Sequence, residues 1–335
     1  MPELLVLNGR IQAHRAPNRK GHPLKTHDRI HSLKTFLVAI VALATIPLGA
    51  AWAQAPRMRT RDLTRLTNIE IQAFLKHSDV IFVPVGDIEA NGSIPSDTDY
   101  TTVLGYAMKM AEHGDGLFLP YLAYFYPGST AAGEATVFVT PTEGSAYLKA
   151  IARSLLRQGF RRQVYVTAGH GPAAMTLGPL IREFFDETKC PILYIDMREP
   201  LRNLKGDFSK VIYGAYSLVG RLEDLPLASP GSTSGSGSGG QASQAQANNS
   251  SAMPKLERLA PRGAAVGFYV ADPNGHGGLT RATSAQQRAD WAKEGLAQLD
   301  AAVQGIDIKG VVEALKEHDT FIKERVLPKY KGKLP

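Results

Sequence analysis

Two short apolar segments rich in β-forming residues each run directly into a glycine and a side chain that can bind metal. Residues 80–89 read Val-Ile-Phe-Val-Pro-Val-Gly-Asp-Ile-Glu, and residues 163–170 read Gln-Val-Tyr-Val-Thr-Ala-Gly-His. In an open α/β sheet, ligands bind outside the carboxyl ends of parallel strands. We therefore expect Glu89 and His170 at one edge of such a sheet, where they and Asp99 could share a cation.

Strand-like and helix-like segments alternate along most of the chain. This alternation predicts an α/β fold of three αβα layers around a mostly parallel sheet. The predicted strands are residues 80–85, 135–139, 163–167, 192–196 and 264–270. The predicted helices are residues 63–77, 100–112, 141–158, 173–187, 284–304 and 309–325.

The third of these helices has a clear start and end in the sequence. Thr140 can cap it, Pro141 suits the first helical position, and Glu143 completes a capping box. Leu148 and Leu155 belong to an apolar series at helical spacing, which ends at Gly159. The apolar series predicts that this helix packs on the core.

The N-terminal part resembles a secretory signal peptide, residues 1–53, with a long basic n-region. The apolar run 36–48 has a length typical of an h-region and is too short for a membrane-spanning helix. Ala51-Trp52-Ala53 forms a small-x-small cleavage site, which predicts an exported, periplasmic or secreted protein beginning near Gln54. The long n-region leaves two alternatives open, a start downstream of Met1 and a retained anchor.

The basic charge of the chain is concentrated in that leader. The formal net charge is +7, but seven basic and only two acidic residues precede Gln54. Residues 54–335 are therefore nearly neutral and lack a basic stripe interleaved with aromatic residues, so we expect no nucleic-acid partner. The single cysteine, Cys190, cannot form an intrachain disulfide and is expected to be a buried structural thiol.

Residues 54–335 are expected to form one domain with an insertion at 228–252. This insertion consists almost entirely of Ser, Gly, Gln, Ala and Asn. Such a composition cannot bury enough apolar surface to offset the entropy of ordering, which predicts a disordered surface segment. It has no strand before it and no helix after it, so it is not a phosphate-binding glycine loop.

The loop between Glu89 and Asp99 is rich in carboxylates and turn-forming residues. Carboxylate oxygens with an imidazole nitrogen suit Zn or Mn, and a catalytic site keeps a further position open to water. The alternative is that these carboxylates are solvated or cap the next helix, for which Asp97 and Asp99 are well placed.

Two histidines follow predicted strands. His170 lies between glycines at the ligand-bearing edge, and it is either a ligand or a turn histidine bonded to the backbone. His276 could line the same cleft as a substrate-binding or metal-binding group, or lie on a flexible loop. The chain has no strand-linked G-x-S-x-G, H-E-x-x-H or G-x-G-x-x-G, which argues against serine hydrolases, common zinc proteases and dinucleotide enzymes.

An ordered set of motifs resembles the creatininase (creatinine amidohydrolase) family. Residues 84–92, Pro-Val-Gly-Asp-Ile-Glu-Ala-Asn-Gly, resemble the family's P-V-G-x-x-E-x-H-G, and Thr98-Asp99 and residues 168–171 resemble its T-D and N-G-H-G. Residues 133–137, 140–143, 271–273 and 282–283 match further family segments in order. The resemblance covers about 63–304 apart from the insertion and implies a creatininase-like αβα fold.

The resemblance also implies a metal site and shows where this chain departs from it. One divalent metal, Zn or Mn, would be held by Glu89, Asp99 and His170. A second would need the positions of Asn91 and Pro172, and because proline cannot ligate and an amide is a weak donor, the second site is expected to be lost. The family's later H-A-G-E segment is also missing, with residues 213–217 as the nearest counterpart.

These features support an exported metal-dependent amidohydrolase acting through a reduced site on an amide-type C–N bond of a small substrate, either cyclic or open. Asn91 and His276 are the candidate substrate-binding residues, and the general acid or base is unassigned. The alternative is an exported, non-catalytic relative that binds a small polar ligand. A membrane-tethered interaction protein ranks last. The resemblance further implies a homo-oligomer, with no membrane association after leader cleavage.

Overall fold

A parallel sheet of four strands forms the centre of the fold. The computed structural model describes residues 58–168, 171–228, 269–273, 279–330 and 332–335, all within one compact unit. The strands lie in the order β2-β1-β3-β4, and every pairing is parallel. They are β1 (Val80–Pro84), β2 (Leu117–Phe118), β3 (Arg162–Thr167) and β4 (Leu193–Asp196).

Helices connect the strands and cover both faces of the sheet. The first six are α1 (Asn68–Leu75), α2 (Thr98–His113), α3 (Pro141–Gln158), α4 (Gly171–Thr188), α5 (Arg198–Asn203) and α6 (Phe208–Leu218). The C-terminal ones are α7 (Ala285–Gln304), α8 (Ile308–Phe321), a π-helical turn (Ile322–Val326) and α9 (Leu327–Tyr330). Single 3-10 turns occupy Leu63–Arg65, Gly128–Thr130 and Leu222–Asp224.

Alternate residues of β1 enter two separate cores. Val80 and Phe82 pack in a cluster with α2, α6, α7 and α8. Ile81 and Val83 pack in the opposite cluster with α1, α3 and α4. Because successive side chains of a strand point to opposite faces, this division places helices on both sides of the sheet. The described residues thus confirm the predicted three-layer α/β fold.

Most of the predicted elements are present within a few residues of their expected bounds. α3 is capped by Thr140 and Glu143 as a capping box, and it ends at Gly159 in the left-handed conformation, φ 108°. The predicted opening helix is divided into a 3-10 turn and α1, because Thr67 caps a new helix through Glu70. Cys190 is buried, as expected, and burial raises the pKa of its thiol.

The strand predicted at 135–139 is wrong. Ala135 has φ 65°, outside the extended region, and Val137 and Phe138 are 41% and 48% exposed. The backbone nitrogen of Val137 donates to the oxygen of Ile88 at 2.9 Å. The segment is therefore an irregular stretch that lies beside the loop after β1. β2, only two residues long, was not predicted.

Several predictions fall on parts of the chain that the structure does not describe. These are the leader 1–53, most of the insertion 228–252 and most of the predicted strand 264–270. Tyr269 and Val270, the described end of that strand, have no strand structure. None of the helices in the described ranges is both long and apolar enough to cross a membrane.

Candidate metal site

The end of β1 lies directly against the first turn of α2. A Cβ atom on Gly86 would lie 2.4 Å from Cα of Tyr100, so only glycine permits this approach. After Gly86 the chain forms a compact loop, in which the backbone nitrogen of Glu89 donates to the oxygen of Ser96 at 3.0 Å. This packing brings the residues after β1 to the residues that begin α2.

Three carboxylates meet at this junction. Asp87, Glu89 and Asp99 each offer an oxygen, and these oxygens lie within 4.8 Å of one another. Asp87 is 0% exposed and Glu89 is 4% exposed, whereas Asp99 is partly exposed. Buried charges of one sign are costly unless they are paired or coordinate a metal. The grouping is chemically suited to a divalent cation.

Two neighbouring polar side chains form hydrogen bonds with two of these carboxylates. The hydroxyl of Thr130, a fully buried residue, donates a short hydrogen bond to Oε2 of Glu89. Asn91 donates from Nδ2 to Oδ2 of Asp99 at 3.1 Å. Such hydrogen bonds fix the orientation of ligating groups.

The structure brings Glu89, Asn91 and Asp99 together, but it does not describe either candidate histidine. His170 and His276 lie outside the described ranges. β3 ends at Thr167 beside β1, with Val166 opposite Pro84, so the described end of β3 lies at the same edge of the sheet. The predicted roles of His170 and His276 stay predictions.

Asp87 was missed as a site residue by the sequence reasoning. A usable signal was present, because Asp87 directly follows Gly86 and precedes Glu89 by two residues, the spacing that places side chains on one side of an extended chain. Asp87 is fully buried next to the contact between Gly86 and Tyr100, and no local pattern reveals this packing.

Asp97 belongs to a separate network. It is the N-cap residue of α2 without a capping side-chain bond, and it pairs instead with Arg221. Tyr216 also donates to it, at 3.0 Å. Burial by itself raises the pKa of Asp97, but the hydrogen bonds from Arg221 and Tyr216 outweigh it and hold that pKa below its ordinary value. The negative charge of Asp97 is thus balanced within the protein.

Residues 213–217 of α6 are the nearest counterpart of the missing H-A-G-E segment, and two of their side chains form structural hydrogen bonds. The hydroxyl of Tyr213 donates to the oxygen of Thr280 at 3.3 Å and accepts from the nitrogen of Ala282 at 3.0 Å. The hydroxyl of Tyr216 is held by Asp97 and Thr98. Burial raises the pKa of both tyrosines, so both remain neutral at physiological pH.

Comparison with known proteins finds similarity to creatininases, both in the family pattern and in solved structures. The family pattern described as "Creatininase: Creatinine amidohydrolase" matches residues 64–216. A solved structure described as "Creatininase Mn" superposes with a TM-score of 0.51 at 18% identity, over 77% of this chain and 98% of that one. A crystal structure of creatinine amidohydrolase gives a TM-score of 0.51 at 17% identity, over 80% of this chain and 98% of that one.

A mutant creatininase of the Zn-Zn type also gives a TM-score of 0.51, at 18% identity, over 78% of this chain and 98% of that one. No curated protein matches the chain. At such identities the structural likeness establishes the fold, and the family pattern spans the loop after β1, α2, α3 and β3, up to α6. Together these matches show that the chain has a creatininase-like fold and matches the creatininase family pattern over residues 64–216.

Proposed function

We propose that the protein is a metal-dependent amidohydrolase that cleaves an amide-type C–N bond of a small substrate, with cyclic amides as the first class to test. The grouping of Asp87, Glu89 and Asp99 within 4.8 Å, in a chain that matches the creatininase family pattern over residues 64–216, carries this proposal. The substrate class comes from the family description, creatinine amidohydrolase.

The donors at this edge of the sheet fit one divalent ion, Zn or Mn. Glu89 and Asp99 supply carboxylates, and His170 is the proposed nitrogen ligand. Structures of creatininases described as Mn and Zn-Zn forms support the choice of these two metals. When bound, such an ion would polarise a carbonyl and lower the pKa of water towards about 7.

The surrounding residues have defined tasks in this proposal. Thr130 holds Glu89 and Asn91 holds Asp99, which preorganises the oxygens before the ion arrives. Burial of Glu89 keeps competing water away from its carboxylate. The proton carrier is unassigned, because the counterparts of the H-A-G-E segment are the neutral, bonded Tyr213 and Tyr216.

The reduced, single-ion site is also part of the proposal. The second ion of the resembled pattern would need ligands at Asn91 and Pro172. Asn91 directs its amide nitrogen, a donor, at Asp99, and this contact supports a positioning role for Asn91. Pro172 has no side-chain donor atom.

A non-catalytic protein that binds a small polar ligand is the second candidate. The hydrogen bonds of Tyr213 and Tyr216 favour the non-catalytic candidate. Both hydroxyl groups are engaged in structural contacts, whereas the resembled pattern supplies active-site groups from this segment. In this alternative the protein keeps the fold and a cleft that binds the ligand but turns nothing over.

Metal analysis combined with an activity assay tests the proposal. The purified protein should contain about one Zn or Mn per chain. His170→Ala should lose this metal, and His318→Ala, which changes an exposed histidine of α8, should retain it. Hydrolysis of creatinine or another small cyclic amide, lost on chelation and restored by metal, supports the enzyme. A metal-free wild type contradicts the enzyme and favours the second candidate, and ligand binding without turnover supports the second.

We also propose that the protein is exported and that its leader is removed. The basic and apolar pattern of residues 1–53 supports this proposal. N-terminal sequencing of the protein recovered from the producing cells should begin near Gln54. A chain that retains Met1 in the cytoplasmic fraction would contradict export.

A further inference from the structure

We propose that Arg221 and Tyr216 are positioning residues for the proposed metal site and that they act on it through Asp97. Tyr216 lies near the end of α6, and Arg221 follows that helix. Both hold the segment between the loop after β1 and α2, next to two of the proposed ligands, Glu89 and Asp99. This inference rests on the proposed function, because it concerns the same site.

The carboxylate of Asp97 joins two helices instead of capping one. An N-cap aspartate usually accepts a hydrogen bond from a backbone nitrogen in the first turn of its helix. Asp97 makes no such bond to α2, and its carboxylate pairs with Arg221 and accepts from the hydroxyl of Tyr216 at 3.0 Å. The side chain thus links the start of α2 to the end of α6.

Further contacts surround this link, which we call the α2–α6 clamp (Asp97, Arg221 and Tyr216). The guanidinium of Arg221 lies over the ring of Tyr216, 5.3 Å from its centroid. In the first turn of α2, the hydroxyl of Thr101 donates to Asp97 at 3.2 Å. The hydroxyl of Thr98 lies 3.2 Å from that of Tyr216, and both residues are buried. In a low dielectric, a satisfied network of this kind favours one arrangement.

Asp97 lies between the two segments that carry the proposed ligands. One residue before it, the oxygen of Ser96 accepts from the backbone nitrogen of Glu89 at 3.0 Å. Two residues after it, Asp99 lies in the first turn of α2. A shift of Asp97 would therefore move both the backbone partner of Glu89 and the carboxylate of Asp99. Groups that orient metal ligands from outside contribute to metal affinity.

Close packing fixes α6, the other side of the clamp. A Cβ atom on Gly105 of α2 would lie 2.9 Å from Cβ of Ala215. A Cβ atom on Gly214 would lie 2.3 Å from the backbone nitrogen of Leu296 in α7. Such close approaches leave α6 little room to move between α2 and α7. The clamp therefore ties the start of α2 to a rigid neighbour.

The experiment measures the affinity of the full chain for Mn²⁺ and Zn²⁺ by calorimetry, and bound Mn²⁺ by electron paramagnetic resonance. Arg221→Gln should lower metal affinity by about tenfold, and Tyr216→Phe by a smaller factor. Both should alter the spectrum of bound Mn²⁺, because the carboxylate of Asp99 is displaced. The losses in Arg221→Gln and Asp97→Asn should not add in the double variant, since Arg221 acts through Asp97.

Tyr213→Phe is the matched control for Tyr216→Phe. Both tyrosines lie on α6 and are buried, but the hydroxyl of Tyr213 bonds Thr280 and Ala282. Each change leaves a buried polar group without its partner, so both should lower the free energy of unfolding measured without metal. Tyr213→Phe should nevertheless bind metal like wild type and give the wild-type spectrum.

Wild-type metal affinity in Arg221→Gln and Tyr216→Phe would overturn the inference and leave the proposed function standing. Equal losses of affinity in Tyr213→Phe and Tyr216→Phe would also overturn it, because weakened packing would then explain both. A wild type that binds neither metal contradicts the proposed function, and the inference with it. If Arg221→Gln does not fold, Arg221→Lys replaces it, and because lysine lacks the planar donors its affinity should still fall. Unchanged affinity in Arg221→Lys and Tyr216→Phe would then overturn the inference.

Discussion

Asn91 donates a hydrogen bond from its side-chain nitrogen Nδ2 to Oδ2 of Asp99, 3.1 Å away. The contact fixes the partly exposed carboxylate of the site at the start of α2. Asn91 stands where the resembled pattern has a metal ligand, and in this chain it holds the carboxylate of Asp99, a proposed ligand. The following prediction tests this role directly.

Asn91→Ala should lower metal affinity by about tenfold, because the carboxylate of Asp99 loses its orienting donor. Calorimetric titration with Mn²⁺ or Zn²⁺ measures the change. Asn203→Ala, which alters an exposed asparagine of α5, is the control and should bind metal like wild type. Unchanged affinity in Asn91→Ala would contradict the positioning role.

Thr130 provides the corresponding support for Glu89. Thr130→Val keeps the shape but removes the hydroxyl, so the buried Glu89 loses a donor and the free energy of unfolding should fall by about 2 kcal/mol. Metal affinity should fall with it. Urea unfolding and metal titration measure the two effects. Thr130→Ser retains the hydroxyl, and it should behave more like wild type than Thr130→Val does.

Local patterns in the sequence were sufficient to predict much of the fold. The apolar series and the capping box at Thr140 and Glu143 determine α3 from nearby residues alone. The segment 135–139 has strand-like composition, but strand formation needs a neighbouring strand, and the positive φ of Ala135 turns the chain away. Composition could not reveal that missing partner.

The candidate site was predictable only in part. Glu89 and Asp99 were chosen as candidates because they lie in a carboxylate-rich loop that follows a strand, and the structure brings their oxygens together. Thr130, whose hydroxyl bonds Glu89, lies 41 residues further along the chain, and the loops bring it there only in the folded protein. The burial of Asp87 is likewise a product of tertiary packing.

The contact between Gly86 and Tyr100 leads to a third prediction. Gly86→Ala should lower the free energy of unfolding by about 3 kcal/mol, because the new methyl group would overlap the backbone of α2. Metal binding should weaken as well, since α2 carries Asp99. Chemical denaturation and metal titration measure these effects.

Gly178→Ala is the matched control for Gly86→Ala. Gly178 lies within α4, and a Cβ there would meet no atom within 4 Å. Alanine favours a helix over glycine, so this change should stabilise the protein slightly. Equal stability of the two variants would contradict the proposed close packing at Gly86.

An ion pair far from the candidate site determines part of the acid stability. Asp319 of α8, whose side chain is 5% exposed, pairs with Arg161 just before β3, and Lys323 also bonds it. Burial by itself raises the pKa of Asp319, but the hydrogen bonds from Arg161 and Lys323 outweigh it and leave that pKa below its ordinary value. The folded state therefore favours the ionised carboxylate.

Asp319→Asn should lower the free energy of unfolding at pH 7 by about 2 kcal/mol, because Arg161 loses its charged partner but stays partly solvated. A carboxyl whose pKa is lowered by folding stabilises the protein above its unfolded pKa of about 3.9. This stabilisation is lost as the pH falls through the lower, folded value. The difference in the free energy of unfolding between wild type and variant should therefore shrink below about pH 4, as measured by urea unfolding across pH.

Glu313→Gln is the control for this prediction. It removes an exposed ion pair with Lys316 on the same helix and should change the free energy of unfolding little at any pH. A difference for Asp319→Asn that is constant from neutral to acidic pH would show that its charge does not stabilise the fold.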